Sequence, residues 1–195
     1  MKSDIILAGV GGQGILSIAA AIGMAALEDN LFLKQAEVHG MSQRGGAVQS
    51  HLRISDKAVA SDLIPMGKAD LILSVEPMEA LRYVPWLSND GWLVTNTASF
   101  VNIENYPDKE AILAEIRKMP KHITLDADNI AEEIGSSRSS NIVMLGAASR
   151  FIPLSLENFH EGIRKIFGRK GEDIIKINIL AFEAGRSACE HYLDK

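Results

Sequence analysis

The chain has 195 residues, 47% of them hydrophobic, which is enough to bury a sizeable core in one globular domain spanning 1–195. The formal net charge of -5 leaves no basic stripe to neutralise a phosphate backbone, so we expect no nucleic-acid partner. No apolar run is long enough to cross a bilayer and no targeting peptide is apparent, so we expect a cytoplasmic protein without membrane contact.

The first informative pattern is a strand, a glycine turn and a helix. Residues 5–8 are an apolar run, and residues 15–27 have the composition of an apolar helix. Between them Gly9, Gly11 and Gly14 form G-x-G-x-x-G, in which the glycines permit a tight turn, close ligand approach and close helix packing. The helix N-terminus favours an anion. This pattern predicts the first unit of a Rossmann-like fold.

The remaining elements alternate between strands and helices. Strands are predicted at residues 32–37, 47–54, 58–61, 70–75, 91–95 and 121–125. Helices are predicted to begin at Glu76-Pro77 and to span 108–119, 128–134, 139–150, 156–167 and 172–191. Along residues 47–54 the more polar and more apolar side chains alternate, which predicts a strand with one face more exposed to solvent. Residues 70–75 are continuously apolar, as in a buried parallel strand. We therefore expect an α/β fold: a Rossmann-like open, mostly parallel sheet flanked by helices, with a helical C-terminal part.

A test of dinucleotide binding is the acidic residue that usually holds the ribose about twenty residues after the glycine turn. Lys34 stands near that distance and Glu37 comes later. This is not the pattern of a ribose-binding strand end, although a lysine can accommodate a 2′-phosphate. A stand-alone NAD(P)- or flavin-binding Rossmann protein therefore remains the alternative to the interpretation that follows.

A second glycine-bracketed loop gives the chain its most specific signature. Residues 37–46 read Glu-Val-His-Gly-Met-Ser-Gln-Arg-Gly-Gly, after the opening Gly-Val-Gly-Gly-Gln-Gly at 9–14. Further blocks are Ser-Val-Glu-Pro at 74–77, Glu-Ala-Leu-Arg at 79–82, Val-Thr-Asn-Thr at 94–97 and Asn-Ile-Val-Met-Leu-Gly-Ala at 141–147. With these blocks the chain resembles, over nearly its whole length, the gamma-type subunits of 2-oxoacid:ferredoxin oxidoreductases, and most of all the indolepyruvate ferredoxin oxidoreductase beta subunits.

The resemblance implies an enzyme subunit that is inactive alone. Enzymes of this kind oxidatively decarboxylate 2-oxoacids, here arylpyruvates such as indolepyruvate, to acyl-CoA, with coenzyme A as co-substrate and ferredoxin as electron acceptor. The large, alpha-type partner subunit would carry thiamine diphosphate, Mg and the iron–sulfur clusters, and this chain none of them. Cys189, its only cysteine, agrees with that division because a cluster ordinarily needs four thiolates. A partner-facing surface exposes apolar area, so isolated chains are expected to form homodimers. A non-catalytic assembly module is a further alternative.

The candidate substrate- or cofactor-binding residues lie in the two glycine loops and after two strands. They are Gly9, Gly11, Gly12, Gln13, Gly14, His39, Met41, Ser42, Gln43, Arg44, Gly45, Gly46, Glu76 and Asn96. Arg44 can grip a carboxylate or phosphate with two hydrogen bonds, or pair with a local acid. Three of the others have a structural alternative: His39 as an ordinary polar residue, Glu76 as a helix N-cap, and Asn96 as a turn residue.

Three further residues are expected to be structural. Asn141 should cap a helix, His51 should be an ordinary polar residue, and Cys189 should be half-buried. No residue of this chain is assigned as catalytic or as a metal ligand.

Overall fold

A computed structural model describes residues 1–39 and 45–193. Within these ranges the strands are β1 (Lys2–Val10), β2 (Phe32–His39), β3 (Ala47–Ser55), β4 (Ala69–Ser74), β5 (Leu87–Asn96) and β6 (His122–Leu125). The helices are α1 (Ile15–Glu28), α2 (Pro77–Arg82), α3 (Lys109–Ile116), α4 (Ala127–Glu133), α5 (Ser140–Ala148), α6 (Leu156–Phe167) and α7 (Glu172–Leu193).

The strands form one open sheet in the order β2-β3-β1-β4-β5-β6. β1, β4, β5 and β6 run parallel, which confirms the mostly parallel α/β fold. β2 and β3 form an antiparallel hairpin, and β3 lies antiparallel beside β1. The carboxyl ends of the four parallel strands therefore share one edge with the start of β3 and the end of β2.

Helices cover both faces of the sheet. Ile5, Leu7 and Leu71 belong to the larger core, which α1, α5 and α7 complete. Ile6 and Ile72 face the opposite way, into a smaller core with residues of α2 and α3. Alternate strand residues enter opposite cores because successive side chains of a strand point to opposite faces. The predicted helical C-terminal part is confirmed, and it packs on the α1 side.

Glycines let two helices of the larger core approach closely. A Cβ on Gly146 of α5 would overlap the backbone carbonyl of Phe182 in α7. A Cβ on Gly185 of α7 would overlap the carbonyl of Val143 in α5. Gly146 and Gly185 thus allow α5 and α7 to cross at close distance, each from its own helix. This crossing holds the C-terminal helices against the sheet.

One predicted strand was wrong. Residues 58–61 form no strand, and carbonyl groups of this segment accept hydrogen bonds from side chains of the β2–β3 hairpin instead. Lys34 Nζ donates to Ala60 O at 3.1 Å, and Arg53 donates to Ser61 O at 3.0 Å. Arg53 also pairs with the fully buried Asp4. The backbone of this segment is therefore held by cations of the sheet rather than by a neighbouring strand.

Smaller differences have local causes. The helix predicted at 108–119 ends at Ile116, and the one predicted at 139–150 ends at Ala148 before a single 3₁₀ turn. On the face of β3 that was expected to be wetter, His51 is only 5% exposed because the loop before β4 covers it. Among the described helices, none is both long and apolar enough to cross a membrane.

Candidate functional site

The two glycine loops meet at the shared edge of the sheet. The first glycine loop (residues 9–14) follows β1, and the second glycine loop (residues 40–46) precedes β3. Gly11 N donates to Gly46 O at 2.8 Å, and Gly45 N donates to Gly11 O at 3.3 Å. Gly11 and Gly46, which are 35 positions apart in the sequence, are thus joined by a backbone hydrogen bond because β1 and β3 are paired along their whole length.

Gln13 holds the first glycine loop in shape. Its side-chain oxygen accepts from Val10 N at 2.7 Å, and its side-chain nitrogen donates to Val75 O at 3.5 Å. Both ends of the carboxamide are therefore engaged with the ends of β1 and β4. Gly14, with φ of 80°, then stands at the N-cap of α1 without a side-chain cap. The left-handed backbone at this position explains the third glycine of the motif.

Asn141 is a contact of the first glycine loop rather than a helix cap, which corrects the sequence-based expectation. The N-cap position of α5 is Ser139, and Asn141 lies in the first turn. Its carboxamide nitrogen donates to Gly14 O at 3.1 Å. The N-termini of α1 and α5 are therefore linked directly, although they are far apart in the sequence.

A polar cleft of about 610 Å³ opens where these two helix N-termini meet. Its walls include the backbone of Gly12 and Gly14, the serines at 136, 137, 139 and 140, and the cations Arg138 and Lys170. None of the described residues that line it is acidic. Because helix N-termini carry partial positive charge, the cleft favours an anionic ligand. Sequence reasoning missed Arg138 and Lys170; the Gly-Ser-Ser-Arg run before α5 was the available signal.

Glu76 is the N-cap of α2, as its structural alternative predicted. It is fully buried, and one carboxylate oxygen accepts from Glu79 N at 2.7 Å. The other accepts from the Tyr106 hydroxyl and from Phe100 N, the latter at 3.4 Å. Burial and the Glu76 carboxylate raise the pKa of Tyr106 to about 12, so its hydroxyl remains a donor throughout the neutral range.

Asn96 lies at the same edge, two strands from β1. Its side-chain oxygen accepts from Ala127 N at 3.1 Å, and its side-chain nitrogen donates to Asp128 at 3.4 Å. Only 4% of the residue is exposed. These contacts connect β5 to the start of α4, which is the turn role foreseen as the alternative for this residue.

The centre of the second glycine loop is outside the described residues. His39 ends β2, and its side chain is not described, nor are Gly40, Met41, Ser42, Gln43 and Arg44. The flanking Gly45 and Gly46 are described, and they lie against Gly11. The predicted ligand contacts of this segment stay predictions.

The geometry does not favour the dinucleotide alternative. In the six-stranded sheet β3 separates β1 from β2, so the end of β2 is not beside the first glycine loop. Lys34 stands five residues before the end of β2 at His39, and its ammonium donates to Ala60 O. Lys34, which stands at the position expected for a ribose or 2′-phosphate contact, therefore makes a structural hydrogen bond instead.

His51 and Cys189 are structural residues. His51 Nδ1 accepts from Ile64 N at 3.0 Å, and burial, with a smaller effect of Arg53, lowers the pKa of His51. Cys189 is fully buried in α7 rather than half-buried, and burial raises the pKa of its thiol to about 11. Among the described residues no three His, Cys, Asp or Glu side chains are placed to hold a metal ion. An iron–sulfur cluster ordinarily needs four thiolates, and Cys189 is the one cysteine of the sequence.

Solved structures with the same fold define the class of protein. A pyruvate oxidoreductase subunit, PORC, from Thermotoga maritima matches with a TM-score of 0.70 and 26% identity, covering 94% of each chain. A 2-oxoglutarate:ferredoxin oxidoreductase from Magnetococcus marinus, solved with 2-oxoglutarate, coenzyme A and succinyl-CoA bound, matches with a TM-score of 0.77 and 22% identity. That match covers 97% of this chain and 31% of the other. The fold is that of an oxidoreductase subunit.

Sequence comparison gives the family. Residues 4–188 match the model of the pyruvate ferredoxin/flavodoxin oxidoreductase family, and the chain belongs to that family as a gamma-type subunit. It is similar to indolepyruvate oxidoreductase subunit IorB of Archaeoglobus fulgidus, at 37% identity over 95% of this chain and 94% of the relative. It is also similar to 2-oxoglutarate synthase subunit KorC of Methanothermobacter marburgensis, at 28% identity over 95% and 96%. The resemblance identified from the glycine loops is thereby confirmed.

Proposed function

We propose that this chain is the small subunit of an indolepyruvate-type 2-oxoacid:ferredoxin oxidoreductase. The observation that carries this proposal is the difference in identity among relatives of equal coverage, 37% to the IorB subunit and 28% to the KorC subunit. The reaction is the oxidative decarboxylation of an arylpyruvate to an acyl-CoA, with electrons passed to ferredoxin. A large subunit would bring thiamine diphosphate, Mg and the iron–sulfur clusters; this chain has one cysteine, whereas a cluster ordinarily needs four thiolates.

The joined glycine loops complete the active site at the subunit interface. Support comes from their position: both lie at the carboxyl edge of the parallel strands, where open α/β sheets bind ligands. The hydrogen bonds between Gly11, Gly45 and Gly46 join the first glycine loop to the described end of the second. Arg44, which lies outside the described residues, is the side chain that we expect to hold an anionic group of the substrate, through its planar guanidinium.

The polar cleft receives phosphate groups of coenzyme A. Its two cations, Arg138 and Lys170, and its two helix N-termini supply positive potential in a chain whose net charge is -5. The cleft begins at Gly12–Gly14, so an anion held there lies next to the first glycine loop. The cleft thus fits the co-substrate, and we assign the oxoacid to the second glycine loop.

Unpartnered apolar side chains support assembly with another chain. Phe100, Val101 and Ile103, in the loop after β5, are 41%, 71% and 49% exposed. Large apolar side chains grouped in this way are typical of a surface that another protein covers. The large subunit covers it in the complex, and the isolated chain dimerises through it.

The test is an anaerobic assay of indolepyruvate-dependent ferredoxin or viologen reduction, with thiamine diphosphate and coenzyme A. This chain, its large subunit and their mixture are measured separately, with 2-oxoglutarate and pyruvate as competing substrates. Activity only in the mixture, and highest with indolepyruvate, is the expected result. No activity in any combination, together with tight NAD(P) binding by this chain alone, would overturn the proposal.

A further inference from the structure

The loop between β5 and α3 (residues 97–108) is fastened to the sheet edge through Glu76. The carboxylate of Glu76 accepts from Phe100 N at the start of this loop and from the Tyr106 hydroxyl near its end. Glu76 is fully buried, so its charge is compensated by these donors and by Glu79 N. A buried carboxylate that lost a donor would be strongly penalised, which makes this attachment firm.

Between these two attachments the same loop reaches the second glycine loop. The side-chain nitrogen of Asn102 donates to Gly45 O at 2.6 Å. Gly45 N in turn donates to Gly11 O in the first glycine loop. Hydrogen bonds therefore attach this loop to Glu76 through Tyr106 and to Gly45 through Asn102, and Gly45 is bonded to Gly11. We call Glu76, Tyr106 and Asn102 the loop brace.

We propose that Asn102 is a positioning residue of the active site, which acts by fixing the junction of the two glycine loops through Gly45. This inference rests on the proposed function, because Asn102 is assigned a supporting role for the two loops that the proposed function places at the active site. Glu76 then belongs to the site as the anchor of the loop brace rather than as a contact of the substrate. Its oxygens are engaged by Glu79 N, Phe100 N and the Tyr106 hydroxyl.

The geometry explains why a carboxamide stands at position 102. Gly45 offers its carbonyl, which accepts, so the side chain at 102 must donate. Aspartate has nearly the same shape as asparagine but offers only acceptors at neutral pH. Replacement by aspartate therefore removes the hydrogen bond while it retains the volume, and replacement by alanine removes both.

The experiment combines two measurements on Asn102→Ala and Asn102→Asp. The first is amide hydrogen exchange at Gly11 and Gly45 in the isolated full-length chain by NMR. The second is kcat and KM of the assembled complex. Asn105→Ala is the matched control, because Asn105 is exposed in the same loop. Tyr106→Phe removes one donor to Glu76 and tests the anchor of the loop brace.

Both Asn102 variants should speed exchange of the Gly11 and Gly45 amides about tenfold, the effect of losing one hydrogen bond. Turnover of the complex should fall by a similar factor with unchanged subunit assembly, and Asn105→Ala should match the wild type. Wild-type exchange at both glycines overturns the inference, and so does faster exchange with unchanged kcat. Because exchange is read without substrate, a complex inactive towards every oxoacid would reject the proposed function and leave the exchange result to decide on the loop brace.

Discussion

Asn141 and Gly14 are joined across 127 positions of the sequence by a hydrogen bond from the side-chain nitrogen to the backbone carbonyl. The same nitrogen occupies the space that a Cβ at position 14 would need. The glycine is therefore required twice, by its φ of 80° and by its neighbour. The N-termini of α1 and α5, which form the walls of the polar cleft, depend on this contact for their relative position.

Gly14→Ala should destabilise the protein through both effects. The left-handed backbone costs an L-residue about 1 to 2 kcal/mol, and displacement of the Asn141 carboxamide costs about 1 kcal/mol more. Gly135→Ala is the matched control, because its φ is 79° but nothing lies within 4 Å of its Cβ position. Urea denaturation of both variants should show the larger loss of unfolding free energy for Gly14→Ala.

A double-mutant cycle separates the two effects. In Asn141→Ala the overlapping carboxamide is gone, so adding Gly14→Ala should cost only the backbone strain. The double variant should then be more stable than the sum of the single variants predicts. Additive losses of unfolding free energy would show that the Asn141 carboxamide moves aside without cost, and that backbone strain alone requires glycine at position 14.

The crossing of α5 and α7 predicts the largest effect of a single methyl group. Gly146→Ala places a Cβ against the backbone of Phe182, which cannot rotate away, so the helices must separate. We expect a loss of about 3 kcal/mol or more in the free energy of unfolding, at the upper end of the usual cost of overpacking a core. Denaturation in urea measures it, and m-values should be compared to verify a two-state transition.

The control for this variant is Gly168→Ala, at the end of α6. Nothing lies within 4 Å of the Cβ position of Gly168, and its φ is -52°, which any residue adopts. Its stability should stay within about 0.5 kcal/mol of the wild type. Similar stabilities for Gly146→Ala and Gly168→Ala would contradict the close packing of α5 on α7.

The parts of the fold that sequence reasoning predicted depend on local signals. The strand, glycine turn and helix at the N-terminus follow from glycine spacing and apolar runs. The start of α2 follows from Pro77 in the first turn and from Glu76 before it, whose carboxylate does cap the helix. In such cases the residues that decide the structure are close together in the sequence, so a local pattern shows them.

The parts it could not predict depend on contacts between distant segments. The insertion of β3 between β2 and β1 is a matter of strand pairing, which no local pattern specifies. Residues 58–61 had strand composition, but their carbonyls were taken by Lys34 and Arg53. Asn102 and Asn141 were recognisable as site residues only once Gly45 and Gly14 were placed beside them.

His51 predicts a pH dependence of stability. Its pKa is lowered from 6.5 in the folded protein, first by burial and then by Arg53. Below pH 6.5 the unfolded chain therefore binds a proton that the folded chain does not, and stability is lost as the pH falls towards the lowered pKa. The loss is at most about 1.4 kcal/mol per pH unit in that window.

The variant for this test is His51→Asn, whose side-chain oxygen can accept from Ile64 N in place of Nδ1. Urea denaturation at about pH 7.5 and about pH 5.5 should show a smaller loss of stability on acidification in the variant than in the wild type. Equal losses would mean that His51 titrates alike in the folded and unfolded states.

Cys189 should be almost inert in the folded protein. Its side chain is fully buried, and burial raises the pKa of the thiol from 9.0 to about 11, which leaves a hundredfold less thiolate at neutral pH. Titration with a thiol-reactive chromophore at about pH 8 should therefore be at least about a hundred times slower in the native protein than in urea. Comparable rates would place the C-terminal part of α7 away from the core.

Arg44 gives the most direct test of the second glycine loop. We expect Arg44→Ala to leave the fold and assembly with the large subunit intact. Turnover of the complex should fall about 10- to 100-fold, because hydrogen bonds to a charged partner contribute about 1.5–3 kcal/mol. Arg44→Lys keeps the charge but not the planar pair of donors, so it should restore activity only partly.

The matched control is Arg117→Ala, which removes an exposed arginine directly after α3 that is paired with Glu110 at 3.4 Å. Surface ion pairs of this kind contribute little, so its turnover should equal that of the wild type. Steady-state kinetics on complexes of verified stoichiometry decide the matter. Wild-type kcat and KM in Arg44→Ala would remove the arginine from the site and leave the cleft at Gly12–Gly14, with Arg138 and Lys170, as the anion-binding surface of this subunit.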